Sequence, residues 1–357
     1  PNIDTISTNT NWYNAVTRQS LREDVSLNIS GGSAKSSYYI SGDYVRDIGN
    51  ILYSANKKGS LRVNLNSEVN NWYTVKGQFS FVRQNTNRAF TTQQRPGVGD
   101  QFLDLVRQPP TLPINYLGYN QLGIPGGIAG WFDNPVITLN TKTDVVKNDY
   151  TILNLENDFT ILESLKLVVT IGANQNLSRR QIFLNANTVL GNPTNGVGYN
   201  YLANTESYNA NAYLIYNKLF NEIHKVDLTL GTEYNTQTLE ETGANSQNFS
   251  IPFFGINNIG SALTQNISSY REDRRLQSAF FRGNYTYKGK YVLNTSLRVD
   301  GASAFAENKK YGLFPTAGVA WNLDQEKFMK NVRFISTSKI RASYGETGSQ
   351  AITPYSS

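Results

Sequence analysis

The chain has no cysteine in 357 residues, which excludes disulfide scaffolds, zinc–cysteine sites, iron–sulfur clusters and thiol catalysis together. Histidine is almost as scarce. His224 stands alone in the polar stretch Asn221 to Lys225, where a solvated turn residue is a better reading than a base or metal ligand lacking partners. Long hydrophobic runs are missing too, and none approaches the ~20 apolar residues that a membrane helix needs. That absence removes helical spans but not a membrane barrel, whose strands show lipid only every second residue. There is no initiating Met before Pro1 and no signal-peptide pattern, and the expectation is an incomplete chain.

Charge is modest, with a net +6 at neutral pH. The basic residues are scattered rather than gathered into a patch, so nucleic acid is not an expected partner, and they read instead as lumenal and headgroup-facing charges. What the sequence does hold is strand and turn chemistry. Hydrophobic residues make up only 39%, yet 22 Tyr, 17 Phe and 4 Trp sit among abundant Asn, Ser and Thr. Aromatic and β-branched residues suit a pleated surface, and Asn, Gly and Ser suit turns.

Period-two alternation recurs through the chain. Leu61, Val63, Leu65 and Val69 point one way while Arg62, Asn64, Asn66, Glu68 and Asn70 point the other. The same split separates Val25, Leu27 and Ile29 from Asp24, Ser26 and Asn28; Leu165, Leu167, Val169 and Ile171 from Lys166 and Thr170; and Leu293, Leu297 and Val299 from Asn294, Ser296 and Arg298. A soluble sandwich also alternates. Three features favour a membrane wall. Many segments alternate for about ten residues, the length of a tilted membrane strand. About twelve strand candidates are joined by connections that alternate short and long. The short ones fall at Ser33 to Ala34, Asn70 to Asn71, Leu162 to Ser164, Phe220 to Ile223 and Lys288 to Lys290; the long ones at Phe90 to Asn148, Leu177 to Gly198, Glu240 to Ser268 and Ala302 to Lys310. The connection Ile48 to Ala55 is only modest, which leaves the phase of the first hairpin open. Third, Trp72, Tyr73, Phe159, Phe220, Tyr285, Tyr287 and Tyr291 gather beside the short turns, as a headgroup-level belt requires.

The longest connection, residues 86–148 at its widest, is expected outside the cell. Gln101 to Arg107 reads as a short helix with Asp100 able to cap it and Pro109-Pro110 to end it, and the glycines and prolines from Pro113 to Gly130 break any regular element. A second short helical stretch is expected at Gln325 to Lys330. Tyr116, Tyr119, Trp131 and Phe132 lie in the long loop near Asp133 and Asn134, and flat rings beside amides and carboxylates suit a sugar or peptide. The same rings would serve equally to pack the loop against a barrel mouth. Inward carboxylates such as Glu156 with Asp158, or Asp227 with Glu233, read as lumenal charges pairing with Lys and Arg rather than as an acid–base pair. No nucleophile elbow, zinc helix, phosphate loop or complete calcium loop is present, so neither a cofactor nor catalysis is expected.

Particular segments carry a family resemblance. Asn11-Trp12-Tyr13-Asn14-Ala15-Val16, then Val25 to Ser33 ending Ser30-Gly31-Gly32, then Tyr38-Tyr39, resemble the early barrel of the SusC/RagA family of TonB-dependent importers. Leu61 to Asn66 with Trp72, Pro109-Pro110-Thr111-Leu112-Pro113, Tyr285 to Tyr291, Leu297 to Ser303, Phe314-Pro315 before Ala320-Trp321, and Ile340 to Gly345 follow in the family's order. The resemblance implies a plugged outer-membrane barrel of about 22 strands. It further implies import of oligosaccharide or peptide with a SusD-like surface lipoprotein, driven by the TonB complex. The expectation is therefore an all-β partial barrel over residues 1–357, embedded in outer-membrane lipid and lipopolysaccharide, with the N-terminal plug and the C-terminal closing strands absent. Two other classes stay open: a complete smaller porin or enzyme barrel, and a secreted all-β glycan-binding module, which would purify without detergent.

Overall fold

The computed structural model describes residues 8–89, 105–106, 108–115, 134–188, 191–329 and 334–349. Twelve strands form one sheet in strict sequence order, β1 to β12, each antiparallel to the next. They are Leu21–Gly32, Ser36–Ile48, Ala55–Asn70, Tyr73–Asn87, Thr143–Leu162, Leu165–Leu184, Val197–Phe220, His224–Phe249, Ala262–Tyr287, Tyr291–Ala302, Tyr311–Asn322 and Lys339–Gly345. Two short helices accompany them, α1 (Trp12–Val16) and α2 (Pro135–Thr141). Residues 105 and 106 are helical, and the rest of the expected helix Gln101 to Arg107, like its cap Asp100, lies outside the described residues. The stretch Gln325 to Lys330 contributes 3-10 turns instead, at Leu323–Gln325 and Lys327–Met329.

The meander alternates sides, so the turn after β1 lies on the same rim as the tight turns after β3, β5, β7 and β9, which settles the phase of the first hairpin. Positive φ at Lys288 (52°) and Gly289 (69°) gives the primed turn geometry that matches strand twist. The connection from β11 to β12 breaks the pattern, since sixteen residues separate these strands on the rim of tight turns, and its described part, 323–329 with 334–338, forms a strap there.

Two expected loops shrink. β6 runs on to Leu184, β8 to Phe249 and β9 starts at Ala262, so the connections narrow to residues 185–196 and 250–261. The apolar alternation fades where a strand leaves the bilayer, but the hydrogen-bond ladder continues. β7, β8 and β9 reach 24, 26 and 26 residues, more than twice the ~9–11 that cross a membrane, and they project on the side of the long connections.

The register assigns every side chain a face. Leu297 sits opposite Phe281, which faces Leu230, then Leu214, Leu167 and Phe159 in turn. Among the described residues nothing covers this face: Leu230 is 57% exposed and Leu27 78%. Leu65, Leu228 and Leu293 share it by register, while Asn64, Glu156, Asp227 and Arg298 lie opposite. The opposite face is tied by polar contacts, Lys76 bridging Glu156 at 2.7 Å and Asp158 at 2.8 Å, and Arg298 reaching Asp300 at 2.7 Å and Glu233 at 3.1 Å. The inward carboxylates are thus ion-pair partners.

Aromatic rings line the apolar face at the tight-turn rim. Tyr73 stacks on Phe159 at 5.0 Å, Tyr287 on Tyr291 at 6.3 Å and Tyr291 on Trp321 at 6.2 Å. His224 corrects the expectation of a solvated turn residue. It opens β8, and its Nδ1 shares a 2.6 Å hydrogen bond with the Tyr285 hydroxyl while its ring lies against Tyr285 and Tyr287. Beneath the belt, Glu326 of the strap accepts from Lys290 Nζ at 2.6 Å, from the Tyr291 hydroxyl at 2.9 Å and from Trp321 Nε1 at 3.2 Å.

Two outcomes follow. Leu297→Arg in the full-length protein should destabilise insertion by about 2–4 kcal/mol, against almost nothing for Ser296→Arg on the polar face. Equal costs for both in urea refolding into lipid vesicles would reverse the faces. At the rim, the donors around Glu326, Lys290 first, hold its carboxyl down at about 2, from 4.5. A depressed acid contributes stability that is whole above its unfolded value and vanishes as pH falls through the folded one. Trp321 fluorescence should therefore change between pH 4.5 and about 2 in the native protein and stay flat over that window in Glu326→Gln.

Candidate functional site

Where the long connections lie, a small hydrophobic core forms from Trp12, Val16, Ile51, Ala89, Leu105 and Leu139, with Leu52, Leu112 and Val136 packed against it. The segment before β1 grips the stem of the longest loop. Trp12 Nε1 donates to the Pro109 carbonyl at 3.0 Å, and Thr10 meets Pro110 through its amide and Leu112 through its hydroxyl, at 2.8 and 2.6 Å. A proline-rich run has few amide donors of its own, and Thr10 and Trp12 reach its carbonyls, Pro109 also accepting from the Leu112 amide at 3.2 Å.

Of the residues expected to meet a ligand, Tyr116, Tyr119, Trp131, Phe132 and Asp133 lie outside the described residues. Asn134 is described, and it caps α2. Its Oδ1 accepts from the amides of Val136 (2.9 Å) and Ile137 (3.4 Å), while Nδ2 donates to the Ile114 carbonyl at 3.0 Å. At 2% exposure its amide is committed to holding the two stems of the loop together.

A second feature escaped the sequence. On the polar face, β6 to β10 enclose a cleft of about 420 Å³ whose lining includes Asn174, Ser207, Asn209, Asn211, Glu233 and Asn235. The register brings them together: Asn174 faces Ser207, Asn209 faces Asn235, and Asn211 faces Glu233. One inward position from Glu233, Gly231 has no room for a side chain, because a Cβ there would fall 2.6 Å from Phe280 and from Tyr213. The Asn211 Oδ1 is buried with no hydrogen-bond partner among the described residues. Read singly, each Asn is an ordinary inward polar residue; only the pairing of strands far apart in sequence makes them a cluster. Amide-rich surfaces of this kind bind hydroxyl- or amide-rich chains through paired donors and acceptors.

Comparison with known proteins gives this wall a context. Residues 105–357 match the family model described as TonB dependent receptor-like, beta-barrel. The chain is 30% identical over 353 residues to TonB-dependent receptor P3 of Formosa agariphila, covering 97% of this chain and 35% of that protein. It is 25% identical over 374 residues to TonB-dependent receptor SusC of Bacteroides thetaiotaomicron, again covering 35% of the relative. Among solved structures, the RagAB peptide transporter superposes with a TM-score of 0.79 at 21% identity over 98% of this chain and 39% of that one. The chain therefore spans about a third of the length of the curated relatives it matches.

Replacing Asn134 by Ala should remove two capping bonds and the tie to Ile114, a loss of about 1–2 kcal/mol. Proteolysis within residues 108–142 should then quicken by roughly 5–30-fold with the sheet intact. An unchanged cleavage rate would show that Trp12 and its neighbours hold the stems without the cap.

Proposed function

Because the chain belongs to the TonB-dependent receptor β-barrel family, we propose that it forms part of the wall of an outer-membrane importer of the SusC/RagA type. Its work there is to pass an oligosaccharide or peptide from the cell surface into a polar lumen. The observation that carries this reading is the amide-lined cleft on the polar face of a wall whose other face is bare and apolar. A cleft that sets amides and hydroxyls beside Glu233, Arg274 and Arg275 suits a substrate rich in hydroxyls or amides. Energy from the TonB complex and capture by a SusD-like lipoprotein belong to the same proposal, supported by the SusC match.

The long loop fits the entry side. Its stems are anchored by the Trp12 core, and Tyr116, Tyr119, Trp131, Phe132 and Asp133 sit between those anchors in sequence, where rings can cover a sugar face or a peptide side chain.

Growth on the cognate nutrient separates the parts. In the full-length protein, deleting residues 116–133 while keeping the cap Asn134 should abolish growth with barrel levels unchanged. Asn235→Leu should lower uptake by roughly tenfold, the worth of one or two hydrogen bonds. Normal growth of the deletion strain would reduce the loop to packing, and normal uptake by Asn235→Leu would remove the cleft from the path.

A further inference from the structure

Near the end of the wall that carries the long connections, five residues stand in one cross-strand row. Arg46 of β2 faces Lys57 of β3, which faces Asn85 of β4, then Lys147 of β5, then Arg179 of β6. Their strand parity puts them on the apolar face. Tyr44 lies one outward position closer to the bilayer than Arg46, Leu177 one closer than Arg179, and Leu61 two closer than Lys57. The row therefore sits outside the barrel, just above the band that meets lipid tails.

The nearby acids are already matched. Glu23 pairs with Arg46 at 3.3 Å, and Asp149 takes both arms of Arg83 at 2.7 and 2.8 Å. Lys57, Lys147 and Arg179 are exposed and have no ion pair among the described residues. Two contacts in the row are like-charged, Arg46 opposite Lys57 and Lys147 opposite Arg179, and directly opposed like charges destabilise a sheet. Lysine on an exposed edge guards against strand addition, but these strands are all paired on both sides, so that role is not available here. Elsewhere on both faces charges meet opposite charges, as Arg83 meets Asp149 and Arg271 meets Glu240; at Lys57, Lys147 and Arg179 they do not.

We propose that this row is a binding surface for the phosphate groups of the outer-leaflet glycolipid headgroup. Strand spacing sets the cations about 5 Å apart within each like pair and about 10 Å between Lys57 and Lys147, so several can converge on a headgroup carrying more than one phosphate. The bound anions remove the repulsion that the two like pairs impose, and the lipid fixes the height of the wall in the leaflet. The inference rests on the outer-membrane placement and is independent of the nutrient.

The test uses the full-length protein in vesicles containing either bisphosphorylated or dephosphorylated lipid A. The native protein should melt at a higher temperature in the bisphosphorylated lipid and retain it through detergent extraction. The triple variant Lys57→Gln, Lys147→Gln, Arg179→Gln should lose roughly 100-fold in affinity for that lipid, at the attraction expected per cation near an anionic surface. The charge-preserving pair Lys57→Arg and Lys147→Arg should keep it. Growth on the nutrient should be unchanged in both variants, which distinguishes this surface from the import path. Equal retention by the native and triple-variant proteins, or no preference of the native protein for the phosphorylated lipid, would overturn the assignment; so would loss of retention in the charge-preserving pair.

Discussion

Backbone hydrogen bonding is the constraint from which the rest of this wall follows. Inside a bilayer an unpaired amide or carbonyl costs several kcal/mol, so each strand must be paired along its whole membrane length. A meander meets that demand with the least chain, and all twelve strands here pair with their sequence neighbours without a crossover. Once the ladder is set, a one-residue slip would carry leucines such as Leu65 and Leu228 inward and carboxylates such as Asp227 into lipid. Register and membrane orientation are therefore a single choice.

The ladder also outlasts the need that created it. β7 to β9 continue well past the bilayer as a tall crest, and their outer halves exchange the apolar alternation for Thr, Asn, Glu and Arg. Extending paired strands is a stable way to raise a wall into water, since each added residue brings its own hydrogen bonds. Beside the crest, the Trp12 core does different work. It packs a loop that has few amides to offer the sheet, and it does so from a segment that precedes the first strand.

Charge is paired on both faces, with one exception on the outer one. Inward carboxylates are answered by Lys76, Arg180 and Arg298, with Asp144 buried under Arg180. Such pairing offsets the charges that the polar face carries. Outside, Arg46 stands opposite Lys57 and Lys147 opposite Arg179, which a membrane surface of opposite charge makes tolerable.

Much of this was legible in the order of the residues. Alternation fixed which side chains of β3, β6 and β10 meet lipid, turn residues marked the tight rim, and the aromatics beside those turns marked the belt, because each of these signals is local. The segments from Trp12 to Gly345 also carried the family resemblance. What escaped had a common cause. Strand ends were misjudged where the ladder outruns the apolar pattern, His224 was read as solvated because its Tyr285 partner is 61 residues away, and the cap role of Asn134 depended on where α2 begins. The amide cleft and the cationic row are invisible in a linear chain for the same reason. Sequence decided the period and face of each strand; only the pairing of strands decided which residues stand side by side, since register is a property of two strands and never of one.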